Sequence, residues 1–182
     1  MSRQSVEKQF STGQIVAVTG GTGFIGRALI HRLLQAGFQV KALRRSTSRS
    51  LPVQSQGLTW IEGDLQTVSS LQQLVADAAT IIHCAGSVRG KDDADFAVAN
   101  IQGVAALVQA ARASQTRPRF LLLSSLAAKV PEISCYAASK RGGEEILRVE
   151  AGDLNWTIMR PPAVYGPGDR ELLPLLQWMR RG

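Results

Sequence analysis

The stretch Thr19-Gly-Gly-Thr-Gly-Phe-Ile-Gly26 constrains this chain more than any other. It follows a β-branched apolar run, Gln14-Ile-Val-Ala-Val-Thr19, and leads into Phe24 to Ala36, where Ile25, Leu29 and Leu33 recur at helical spacing. The glycines at 20, 23 and 26 therefore fall in a strand-to-helix turn, the context that a dinucleotide-binding turn requires. Their roles differ, in that Gly20 makes a tight turn, Gly23 lets backbone approach a pyrophosphate, and Gly26 lets the helix pack closely on the strand. The start of the helix offers unpaired N–H groups and a positive dipole end to the anion. Gly20, Thr22, Gly23, Phe24, Ile25 and Gly26 are the candidate cofactor contacts of this turn. No Gly-Lys-Ser/Thr follows, which excludes a P-loop.

The alternation continues along the chain. Gly37 closes the first helix, Phe38 to Leu43 reads as a second strand and Leu58 to Glu62 as a third. Val68 to Ala78 is a helix, Thr80 to His83 a fourth strand, and Asp92 to Ala113 a long Ala-rich helix. Phe120-Leu-Leu-Leu123 is uniformly apolar, as for a central parallel strand buried on both faces. Tyr136 to Glu150 is helical, Asn155 to Met159 is a sixth strand, and Leu172 to Arg181 begins another helix. This pattern predicts an α/β protein with a doubly wound parallel sheet, the Rossmann fold, and ligands at the carboxyl ends of its strands. The expected organisation is a polar tail over residues 1–13, a nucleotide-binding domain over 14–170, and the start of a substrate-binding lobe over 171–182.

A length of 182 residues suits one domain, and 45% hydrophobic with 19% charged residues disfavours disorder and coiled coil. No apolar run approaches the roughly 20 residues of a membrane span, and the N-terminus has no signal-type apolar core. Cys84 and Cys135 lack metal-ligand spacing, and with His31 and His83 the only histidines, no metal site is expected. Two isolated thiols fit a reducing cytoplasm, the expected location. His31 is expected at the surface, His83 packed near the cofactor, and Trp60, Trp156 and Trp178 in the core or an interface. Lys plus Arg exceed Asp plus Glu by 21 to 14, which favours phosphate-bearing partners. Aromatics at 5% and basic residues spread along the chain argue against nucleic acid. The dense cluster Lys41, Arg44, Arg45 and Arg49 needs a local explanation.

An NAD site usually has an acid at the end of the second strand to accept hydrogen bonds from the ribose 2′-hydroxyl. Here that place holds Arg44 and Arg45, whose guanidinium groups suit a 2′-phosphate instead. The sequence therefore favours NADP, with NAD as the alternative.

Tyr136-Ala-Ala-Ser-Lys140 puts a phenol and an ammonium on one helix face. A phenol of pKa about 10 becomes a useful proton carrier when a neighbouring cation stabilises the phenolate. Ser125, in preference to Ser124, follows the apolar fifth strand and could hydrogen-bond a substrate oxygen. The candidate catalytic residues are thus Ser125, Tyr136 and Lys140.

With these motifs the sequence resembles the extended short-chain dehydrogenase/reductase superfamily, within it the NAD-dependent epimerase/dehydratase group. The resemblance runs from about Gln14 to Arg170 and rests on the glycine turn, Gly63-Asp64-Leu65, Ile-Ile-His-Cys-Ala-Gly86, Asn100-Ile-Gln-Gly103, Leu-Ser-Ser125, Tyr136-Ala-Ala-Ser-Lys140 and Arg160-Pro-Pro-Ala-Val-Tyr-Gly-Pro-Gly168. It implies that Asp64 and Leu65 meet the adenine, that Cys84, Ala85 and Gly86 line the cofactor, and that Pro161 and Val164 lie near the nicotinamide. It also implies that Asn100 supports the site, that Lys140 holds the nicotinamide ribose, and that Tyr136 exchanges the hydroxyl proton during hydride transfer with a small carbonyl or hydroxyl substrate.

The connection between Ser125 and Tyr136 is shorter than sugar-nucleotide epimerases and dehydratases of the family usually have, and Leu126-Ala-Ala128 offers no group for elimination. Both departures tilt the reading toward a ketone or aldehyde reductase. A nucleotide-sugar epimerase and a non-catalytic dinucleotide-binding regulator are the alternatives. Family members often dimerise through the two long helices, so a homodimer is a possible state. They also continue well beyond this length, so the chain is expected to lack most of the substrate lobe.

Overall fold

The sheet is wound outward in both directions from the strand that precedes the glycine turn. In the computed structural model, which describes residues 13–47, 54–169 and 173–180, six strands are present: β1 (Ile15–Thr19), β2 (Gln39–Arg44), β3 (Leu58–Glu62), β4 (Thr80–His83), β5 (Arg119–Leu123) and β6 (Trp156–Met159). Every pair is parallel, and the order is β3-β2-β1-β4-β5-β6. The strand order reverses between β1 and β4, so their carboxyl ends flank the crevice where such sheets bind ligands. This is the predicted Rossmann fold. The tail before Gly13, Arg49, and the boundary near residues 170–172 lie outside the described residues.

Alternation along β1 sends its side chains to two different cores. Val16 and Val18 pack with Val40, Ala42 and Ile30 of α1 (Phe24–Gln35). Ala17 faces the opposite side, with Leu71 and Leu74 of α2 (Val68–Val75), Leu107 of α3 (Asp93–Ala113) and Leu147 of α4 (Cys135–Glu150). Helix α1 ends as its glycine suggested: Gly37 has φ 84°, and Phe38 N–H reaches back to the Leu33 carbonyl at 3.1 Å. Helix α4 begins on Ser134, whose hydroxyl accepts the Ala137 N–H at 3.1 Å. A further short helix, α5, spans Leu173–Met179.

Three features depart from the sequence expectation. On β5, Phe120 and Leu122 are buried, whereas Leu121 and Leu123 on the α1 side are only half-covered, and their register partners Thr157 and Met159 on β6 are exposed. The most apolar 18-residue window of helix α3 has a mean hydropathy of 1.2, so the helix is by length and composition apolar enough to cross a membrane. That composition arises because Phe96, Val104, Leu107, Val108 and Ala111 are buried. The same helix is interrupted by a π-helical turn at Val98–Gln102. Of the tryptophans, Trp60 packs against the α1 cluster, while Trp156 and Trp178 are exposed.

Candidate active site

The carboxyl ends of β1 to β4 open onto a cleft of about 450 Å³. Gly20, Thr22 and Gly23 form one wall, Arg44 and Arg45 another, Asp64 and Leu65 a third, and Cys84, Ala85 and Gly86 the fourth. The predicted contacts Phe24, Ile25 and Gly26 lie in α1 behind the turn, and Asn100, Tyr136, Lys140, Pro161 and Val164 do not line this cleft.

The three glycines are demanded for different reasons. Gly20 has φ 72°, and a Cβ there would stand 2.6 Å from the Ala85 nitrogen, so the β4 loop as well as the turn requires it. A Cβ on Gly26 would overlap the Gly20 carbonyl oxygen and lie 2.7 Å from its carbon. Gly23 differs: its φ is −81°, and an added Cβ would meet only the Gly20 oxygen, at 3.2 Å. Space beyond it is open, so the protein itself does not require glycine there. No side chain caps α1, so its first N–H groups are left without a capping partner next to Gly23 of the cleft. The cradle fits a pyrophosphate.

Behind the cleft, Thr19 joins the two central strands. Its Oγ1 lies 2.7 Å from His83 Nδ1 and accepts the Ala85 N–H at 3.3 Å. His83 is fully buried, with Nε2 unpartnered among the described residues. Burial, reinforced by the Lys140 cation, pushes its pKa down from 6.5 to about 3. An unfolded chain therefore takes up a proton near pH 6.5 that the folded one refuses until about 3, and stability falls across that window as pH falls. The penalty approaches about 5 kcal/mol at the acid end. An NMR titration should show the His83 ring neutral at pH 5 in the folded protein; protonation there would remove this source of acid sensitivity. Burial also raises the Cys84 thiol to about 11, which keeps it neutral.

Beyond β4, a second cluster gathers Asn100, Lys140 and the residues that follow β5, while the Tyr136 ring packs edge-on against Phe96 and Val164 is exposed. The π turn aims Asn100 inward: Oδ1 accepts the Ser87 N–H, and Nδ2 donates to the Ser87 carbonyl and to Ser139 Oγ, each at 2.9 Å. Buried Lys140 donates to the Leu123 carbonyl at 2.8 Å, and desolvation lowers its pKa from 10.5 to about 8. A Cβ built on Gly86 would sit 2.7 Å from Asn100 Oδ1 and 3.7 Å from Lys140 Nζ, so these side chains meet the cleft wall from behind. Ser124 is buried and gives its hydroxyl to Glu144 at 2.5 Å. Ser125 is half-exposed, and its Oγ only accepts, from Ala127 N–H at 3.2 Å, which leaves the hydroxyl proton for another acceptor.

A model of the NAD dependent epimerase/dehydratase family matches residues 16–177. The chain belongs to this family. A ceramide reductase of Caulobacter vibrioides is 42% identical over 172 residues, which cover 92% of this chain and 51% of that protein. WbmH of Bordetella bronchiseptica, solved in complex with NAD+, superposes with a TM-score of 0.79 at 26% identity, over 93% of this chain and 64% of its own. A UDP-glucuronic acid 4-epimerase from Bacillus cereus, in complex with NAD, shares the fold with a TM-score of 0.77 at 23% identity, over 92% and 64%. The chain spans about half the length of the curated relatives it matches.

The NADP expectation is corrected by WbmH and by MoeE5, both captured with NAD. The physical reason lies in two carboxylates beside the two arginines. The parallel register sets Arg44 opposite Glu62, with Nη2 3.3 Å from Oε2. Asp64 is held below the usual carboxylate range by hydrogen bonds from Thr67 and Gln66, with the charge of Arg45 adding to them. A 2′-phosphate at this wall would meet anions as well as cations. Sequence reasoning sought the acid at the end of the second strand and missed Glu62 at the end of the third. It also passed over Ser87 and Glu144, although Glu144 stands four residues after Lys140 and hence on the same helix face.

Proposed function

We propose that this chain is the NAD-binding part of an oxidoreductase that interconverts a carbonyl and a hydroxyl on a small, largely apolar molecule. The carrying observation is the buried Lys140, which bonds the end of β5 beside Gly86 of the cleft wall. NAD, held by the glycine turn, Asp64, Leu65 and the Cys84–Gly86 wall, would supply the hydride donor or acceptor. Tyr136 gives its phenolic proton to the substrate oxygen in reduction and recovers it in oxidation. Ser125 orients that oxygen with its free hydroxyl proton, since the Ser124 hydroxyl is committed to Glu144. Lys140 contributes a cation on the Tyr136 face of α4, and Asn100 fixes the loop after β4.

An apolar substrate is supported by Leu126, Val130 and Ile133, which are exposed on the segment between Ser125 and Tyr136, and by the likeness to a ceramide reductase. Incubation with NADH and a panel of long-chain ketones should deplete the nicotinamide absorbance in step with alcohol formation. Isomerised product without net cofactor oxidation would establish an epimerase instead. In fluorescence titrations NADH should bind at least about 10-fold more tightly than NADPH, because Asp64 on the cleft wall opposes the extra phosphate and Glu62 already engages Arg44. Equal affinities would show that these carboxylates do not face the 2′ position.

A further inference from the structure

Helix α4 carries a second buried ionisable group one turn beyond Lys140. The Glu144 side chain is wholly inaccessible, and four donor atoms surround its two oxygens. Oε1 accepts from Ser124 Oγ at 2.5 Å and from Arg160 Nε at 2.8 Å; Oε2 accepts from Arg160 Nη2 at 2.5 Å and from Arg148 Nη2 at 3.3 Å. Burial alone would raise this carboxyl, yet the bonds from Arg160 and Ser124 outweigh it and hold Glu144 below the usual range, hence ionised. The partners come from different elements. Ser124 follows β5 and Arg160 follows β6, and the two segments are zipped together, Ser124 N–H to the Met159 carbonyl at 2.7 Å and Leu126 N–H to the Pro161 carbonyl at 2.9 Å. A two-pronged guanidinium–carboxylate contact fixes angle as well as distance.

We propose that Glu144 is a positioning residue that ties α4 to the carboxyl ends of β5 and β6, and so sets Ser125 in register with Tyr136 and Lys140. Lys140 grips the Leu123 carbonyl, and Glu144 grips the next residue's side chain from one turn further along the same face. Two adjacent anchor points prevent the Ser124–Leu126 loop from pivoting about the Lys140 contact. The arginine prong carries the lock to Pro161, at the start of the segment read as nicotinamide-facing. The inference rests on the assignment of Ser125, Tyr136 and Lys140 to the reaction.

Amide hydrogen exchange and steady-state kinetics on wild type, Glu144→Gln and Glu144→Gln/Arg160→Gln test it. In Glu144→Gln the Ser124 and Leu126 amides should exchange at least about 10-fold faster while those of Val18 and Val40 hold their rates. The kcat should fall at least about 10-fold, with the dissociation constant of NADH changed less than about threefold. Uniform acceleration of all amides, or an unchanged kcat despite a loosened loop, overturns the proposal. Should Glu144→Gln not fold, the paired variant, which leaves no buried charge alone, supplies the same readouts; failure of both to fold overturns the positioning role. If wild type oxidises no NADH with any ketone, the functional reading fails, and the exchange pattern alone decides whether Glu144 holds the loop.

Discussion

Tyr136→Phe should lower kcat by about 10³-fold, within the range that a positioned acid or base contributes, while NADH affinity stays within about threefold. The substitution removes one oxygen and little else. The ring stacks edge-on against Phe96 with centroids 6.2 Å apart, a contact that phenylalanine keeps. Among the described residues the phenol oxygen has no hydrogen-bond partner, so its loss orphans nothing, and thermal unfolding should be nearly unchanged. On the proposed mechanism the chemistry then loses its proton carrier with fold and cofactor cleft intact. Wild-type turnover in this variant would remove Tyr136 from the mechanism, and parallel losses of kcat and stability would make its role structural.

The second large effect separates two glycines only three residues apart. Gly26→Ala drives a methyl into the carbonyl of Gly20, with Gly21 Cα only 2.9 Å away, and all of these atoms are backbone. Relief requires α1 to move off β1. We expect a loss of about 3 kcal/mol in urea unfolding, with NADH affinity reduced about 100-fold because the turn is displaced. Gly23→Ala is the counterpart. Its backbone is already extended and its methyl would meet a single oxygen at 3.2 Å, so stability should change by less than about 1 kcal/mol. NADH binding should nevertheless fall, since the methyl projects into the cradle. Undiminished binding by Gly23→Ala would move the pyrophosphate elsewhere.

The contrast between these glycines marks what could be read from residues alone. Local periodicity placed all six strands, because Val, Ile and Leu runs punctuated by Gly37 or Gly63 carry the signal within a few positions. The turn was equally legible, being a contiguous motif, and Tyr136 and Lys140 fall on one helix as their spacing suggests. The two arginines suggested NADP because the partner of Arg44 is 18 residues away, and only parallel register brings Glu62 beside it. The same holds for Glu144, which acquires meaning only when β5 and β6 deliver Ser124 and Arg160 to it. Leu121 and Leu123 look like any buried apolar pair, yet coverage of a sheet face depends on where a helix lies, which composition does not encode.

The π turn at Val98–Gln102 has a consequence for how this helix tolerates change in length. A turn with an i→i+5 bond accommodates one residue more than the regular spiral, so the α-helical segments on either side keep their phase. Phe96 before it and Val104 and Val108 after it are buried, each one position later than an uninterrupted helix would return them to that face. The surplus residue lets the turn present the Asn100 amide to Ser87. Loss of one residue at this place would remove the contact that holds Ser87 behind the cleft wall while leaving the packing rhythm of the helix unbroken, which makes this turn a point where the scaffold and the loop after β4 can vary independently.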